Sequence, residues 1–109
     1  MTWEPALLII EMRQGKLQHA RIVLRGEAGA EAVLHLGPKA PPRLEGAEPS
    51  LPLALAAAGY ATGVASRREA PRPGGVRLFV DGREQRVLTR YGDVLTHVAE
   101  LTDAYADTL

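Results

Sequence analysis

The stretch ALLIIEMRQGKLQHARIVLRGEAGAEAVLHL, residues 6–36, decides the fold. It opens on a dense apolar run, Leu7, Leu8, Ile9 and Ile10, then turns polar and meets Gln14-Gly15, a tight-turn dipeptide. Beyond the turn the pattern has a period of two. Ala20, Ile22 and Leu24 point one way and His19, Arg21, Val23 and Arg25 the other, which is the signature of a strand with one buried face. After the turn-like Glu27-Ala28-Gly29-Ala30 the alternation resumes, with Ala32, Leu34 and Leu36 set against Val33 and His35. Three antiparallel strands in a meander follow from this spacing. The first strand is apolar on both faces, which predicts either a central position covered twice or pairing at a subunit interface.

Working outward, residues 37–50 hold four of the eight prolines and predict a long surface connection that forms neither helix nor central strand. Ser50 is a helix cap, Pro52 suits a first turn, Leu53 to Ala58 favour helix, and Gly59 offers a left-handed stop. The sequence thus predicts a helix ending at Gly59 and feeding a strand over residues 60–66. A second Pro- and Gly-rich loop, residues 67–75, leads to Val76, Leu78 and Val80, then to the hairpin signal Asp81-Gly82 and a return strand over residues 85–89. Val94, Val98, Leu101 and Tyr105 form one helical stripe, with Asp93 as cap. The reading is a single α+β domain over residues 1–109: an antiparallel sheet with two helices packed on one face, in the approximate order βββα-βββα. The order hints at two similar halves, although no residue-level repeat accompanies it.

Composition narrows the function classes. The chain of 109 residues is long enough for one core and carries no cysteine, which removes thiolate metal sites, thiol nucleophiles and disulfide frameworks together. Thirteen basic and thirteen acidic residues cancel, so no global field draws the chain to nucleic acid or to an anionic membrane. Asn is absent as well as Cys, an avoidance shared with thermophile proteins, and the eleven Arg among the basic residues suit a GC-rich genome. Neither a signal peptide nor an apolar run of membrane-spanning length is legible, and the reading is a cytoplasmic protein.

Three candidate sites emerge. His19 and His35 fall on the same face of neighbouring strands and Glu11 lies on the first strand, a conceivable metal or acid–base cluster, although no recognised ligand spacing such as H-E-x-x-H marks it and solvated sheet histidines are the commoner outcome. Arg67, Arg68, Arg72, Arg77, Arg83 and Arg86 form a regional excess of positive charge that could grip a phosphate backbone or an acidic partner. Few aromatic residues accompany it, so nucleic acid is the less favoured partner. Val23, Val33 and Phe79 would share the sheet face opposite the core. That predicts a homodimer formed sheet to sheet or through the C-terminal helix. Neither serine sits in a nucleophile elbow, and the Gly59-x-x-x-Gly63 spacing runs from helix to strand rather than into a helix N-terminus, so no catalytic residue and no cofactor is indicated. The leading reading is a non-enzymatic homodimeric interaction or accessory protein. The alternatives are a nucleic-acid-binding module using the Arg67–Arg90 region and a small-ligand or metal-dependent enzyme using His19 and His35.

Overall fold

Two turns set the frame. In the computed structural model, which describes residues 2–68 and 75–109, Gln14-Gly15 has φ of +52° and +75° and Asp81-Gly82 has φ of +50° and +82°. Left-handed conformation at both central residues matches the twist of the flanking strands, so each dipeptide closes a two-residue hairpin. The first joins β1 (Glu4–Arg13) to β2 (Lys16–Arg25); the second joins β5 (Val76–Val80) to β6 (Arg83–Gln85). The turns are also tied together. The Gln14 amide donates to Asp81 Oδ1 at 3.1 Å, and the Asp81 amide donates to the Met12 carbonyl at 3.0 Å.

β3 (Glu31–Leu36) pairs antiparallel with β2, completing the expected meander. Past it, the Pro-rich segment contains a short edge strand, β4 (Arg43–Glu45), that the proline count concealed. Only Pro38, Pro41, Pro42 and Pro49 lack an amide, and the three residues between Pro42 and Gly46 are free to pair. The six strands lie in the order β4-β3-β2-β1-β5-β6.

The sheet is mixed, which corrects the antiparallel expectation: β5 runs parallel to β1, with Leu8 opposite Val76 and Ile10 opposite Leu78. A strand that returns to the sheet after a helix arrives in a crossover rather than a hairpin, and parallel pairing is its usual outcome. The element order is therefore ββββ-α-ββ-α. β1, with partners on both sides, is a central strand, in keeping with its apolar run.

The helix α1 spans Leu51–Arg67, through the position where a stop and then a strand were expected. Ser50 caps it, accepting from the Leu53 amide at 3.4 Å. Gly59 stays helical because the apolar spacing continues past it. Leu53, Ala57, Tyr60, Ala61 and Val64 are all buried, and that burial outweighs the roughly 1 kcal/mol cost of glycine in a helix interior. The left-handed stop comes instead at Arg68, with φ of +56°. The return strand expected over residues 85–89 is shorter and earlier. Residues Leu88–Tyr91 form a 3-10 turn that leads into α2 (Gly92–Asp107), whose first turn contains Asp93 while Tyr91 takes the cap position.

α1 and α2 pack chiefly on each other, with smaller contacts from α1 to β1 and β2 and from α2 to β2 and β3. This differs from two helices each laid flat on one sheet face. Their buried residues join Leu8, Ile10, Ala20, Ile22, Leu24, Ala32, Leu34, Leu36 and Leu78 in one hydrophobic cluster. The alternate residues of the same strands, Leu7, Ile9, His19, Arg21, Val23, Val33 and His35, remain partly exposed. No helix of the described residues is long and apolar enough to cross a membrane.

Candidate functional site

The period-two alternation that buries Ala20, Leu34 and Leu36 necessarily turns His19 and His35 to the partly exposed face of the sheet. In β1, Glu11 stands opposite His19; in β3, His35 stands opposite Arg21 of β2 and Arg43 of β4. Neighbouring residues on one face of adjacent strands lie close enough for side-chain contact. The result is a chain of polar groups running across four strands. Glu11 Oε2 lies 3.9 Å from His19 Nδ1, His19 Nε2 lies 3.2 Å from His35 Nδ1, and His35 Nε2–H donates to Glu45 Oε1. The two imidazole rings meet edge to edge through these nitrogens, with centroids 5.3 Å apart and planes 23° from parallel.

Proton positions follow from this connectivity. A neutral His35 that donates from Nε2 has an unprotonated Nδ1, so His19 Nε2–H must donate to it. Burial and the neighbouring His35 hold the His19 pKa below its usual 6.5, with Arg21 and Arg43 adding to the effect and Glu11 opposing it. The hydrogen bond from His35, reinforced by Arg43, pulls the Glu45 carboxyl below the ordinary carboxylate range.

The face around this cluster mixes charge pairs and apolar side chains. Four of its arginines have a glutamate within 4.0 Å: Arg21 with Glu11, Arg25 with Glu31, Arg43 with Glu45 and Arg77 with Glu84; Arg13, at the groove's end, makes no such pair among the described residues. Arg77 makes two hydrogen bonds to Glu84, at 3.2 and 2.8 Å, and its guanidinium lies 5.2 Å from the Phe79 ring centroid. Val23 and Val33 are direct partners across β2 and β3, and Phe79 stands opposite Glu11. A groove of about 360 Å³ runs between Ile9, Arg21, Arg77 and Phe79.

The other sequence-derived candidates lie in separate places. Arg67 and Arg68 end α1, and the Arg68 guanidinium packs over the start of α2, where a side chain at Gly92 would come within 2.9 Å of its Cζ. Arg77 and Arg83 lie on β5 and β6, Arg86 follows β6, and Arg72 falls outside the described residues. Glu45 and Arg43 were missed, although the polar–apolar–polar pattern Arg43-Leu44-Glu45 between Pro42 and Gly46 is the alternation that marks a short strand. Also missed was a larger open cleft of about 850 Å³ at the hairpin end of the sheet, lined among others by Arg13, Lys16, Lys39, Arg90 and His97. Compared with protein-family models, curated proteins and solved structures, the chain matches none.

Proposed function

We propose that the chain is a homodimeric interaction module whose contact surface is the partly exposed face of the sheet. The observation that carries this reading is the pairing of Arg21, Arg25, Arg43 and Arg77 each with a glutamate of the same face, around apolar Leu7, Ile9, Val23, Val33 and Phe79. A surface whose charges are balanced within itself can meet a second copy of itself without repulsion, as an isologous two-fold contact requires. The same balance disfavours a phosphate backbone, which needs cations free to displace counterions. The 37 residues of the strands, each covering about 3.3 Å by 4.8 Å, outline about 590 Å² per copy, which puts a two-copy contact of about 1,200 Å² at the low end of standard interfaces. The cysteine-free composition suits a reducing cytoplasm.

The test is solution mass by light scattering at low and high salt, for the wild-type chain and for Val23→Arg. A dimer that resists salt, and a monomeric Val23→Arg that still folds, are expected. A wild-type monomer at high protein concentration would overturn the reading. A gain in mass with added nucleic acid at low salt alone would favour a nucleic-acid-binding module instead.

A further inference from the structure

We propose that His19 and His35 together bind one zinc-class transition-metal ion on the partly exposed face of the sheet, with Glu11 and Glu45 supporting the outer ring nitrogens. The inference does not depend on a second copy of the chain.

Three features converge on it. The first is the separation of the two facing nitrogens. Imidazole nitrogens bound at about 2.0–2.1 Å to a tetrahedral zinc ion stand about 3.3 Å apart. His19 Nε2 and His35 Nδ1 are 3.2 Å apart, so an ion can enter between them with only small ring adjustments. The second is the outer shell. A ligating histidine is normally oriented by a carboxylate or carbonyl at its other ring nitrogen, which fixes the tautomer and raises the ligand's basicity. His35 has such a carboxylate, Glu45, which accepts from its Nε2–H; Glu11, 3.9 Å from His19 Nδ1, lies beyond hydrogen-bond range and must close by about 1 Å to take the same role. The third is rigidity. Both histidines are held on paired strands of the sheet, and Glu45 on β4 is held against His35 by the β3–β4 pairing.

Proton bookkeeping is simple. Without metal, the proton on His19 Nε2 bridges the two rings. Metal binding takes that position, and the proton moves to His19 Nδ1, facing Glu11, while His35 keeps its Nε2 proton on Glu45. Both lone pairs then point at the ion and neither ring changes charge. Among the described residues no group of three or more His, Cys, Asp and Glu converges as a ligand set. Each copy therefore supplies two imidazoles, and the remaining positions are filled from outside the chain, by water or by a group of the second copy that the proposed dimer brings to this face, unlike a closed structural site. Imidazole donors select zinc, copper or nickel over magnesium and calcium.

The experiment is calorimetric titration of the full, tag-free chain with Zn²⁺ alone, paired with NMR of the histidine ring nitrogens. Saturable binding is expected, with zinc shifting His19 Nε2 and His35 Nδ1. His19→Gln and His35→Gln should each abolish the saturable phase. Glu45→Gln should weaken it by about 10–100-fold, the usual effect of losing an outer-shell partner. His97→Gln should leave it unchanged, and Mg²⁺ should give no binding. Circular dichroism melts of each variant separate loss of the site from loss of the fold. Absence of saturable binding to the folded wild type, or binding that survives both histidine replacements, would overturn the proposal.

Discussion

Gly46, immediately after β4, is where a single methyl group should have its largest local effect. Its φ is +87°, and a Cβ built there lies 2.5 Å from the Glu31 carbonyl oxygen and 3.5 Å from Ala32 Cα. Gly46→Ala therefore faces two costs. An L-residue in left-handed backbone loses about 1–2 kcal/mol. The contact with Glu31 is also far inside van der Waals range, and the oxygen belongs to backbone locked in the β2–β3 ladder, where Glu31 pairs with Arg25. The cheaper escape is for β4 to peel away, breaking the pairs Val33 with Glu45, Leu34 with Leu44 and His35 with Arg43. Peeling exposes the half-buried Leu44, about 1 kcal/mol, and gives up a few hydrogen bonds worth about 0.5–1.5 kcal/mol each, against backbone entropy regained at about 1–2 kcal/mol per freed residue. The loss is thus capped near 2 kcal/mol, a Tm lower by about 10 °C. Urea unfolding gives the total, and hydrogen exchange locates it: amides of the β3–β4 rung should lose protection ahead of those of β1 and β2. Gly15→Ala is the control, because its φ is +75° but a Cβ there meets nothing within 4 Å. It should carry the conformational cost alone and leave β4 protected. A Gly46→Ala protein as stable as wild type with β3–β4 protection intact would refute the reasoning.

Two further predictions rest on single groups. The buried hydroxyls of Tyr60 and Tyr105 meet no hydrogen-bond partner among the described residues, and burial raises both phenol pKa values. Tyr60→Phe and Tyr105→Phe should therefore be neutral or stabilising by up to about 1 kcal/mol in chemical denaturation, and a loss beyond 1 kcal/mol would reveal a partner for the hydroxyl. The hydrogen bonds from Arg77 hold the Glu84 carboxyl below its ordinary value of 4.5. A depressed folded-state pKa adds stability above the unfolded value that is lost as pH falls through the folded one. NMR titration should find Glu84 below 4.5, and Arg77→Ala should bring it back up; an unmoved value would remove the ion pair.

What the sequence revealed and what it concealed divide by range. Gln14-Gly15 and Asp81-Gly82 specify their hairpins with two residues each, and the alternations through Ala20–Leu24 and Ala32–Leu36 fix strand faces from within the strand. From that local information alone, His19, His35, Val23 and Val33 fall on one face. The errors lie where distant contacts overrule local preference. Gly59 is a plausible stop in isolation, but the burial of Tyr60, Ala61 and Val64 carries the helix through it. The parallel pairing of β1 with β5 joins residues far apart in sequence, and nothing in either strand announces its partner.

The candidate site follows the same division, and β4 shows why. Its three residues do two things at once through their alternation. Leu44 turns inward and packs against the hydrophobic cluster, which anchors an otherwise Pro-rich segment to the sheet. The outward neighbours Arg43 and Glu45 are thereby delivered to His35 and to each other. Tertiary pairing, rather than any sequence spacing between His35 and Glu45, brings the carboxylate to the ring. A change that frees β4 without touching a polar residue, as Gly46→Ala is expected to do, should therefore detach Glu45 from His35 while leaving His19 beside His35 on the β2–β3 ladder. The histidine pair belongs to the stable centre of the sheet, and its carboxylate support belongs to a detachable edge.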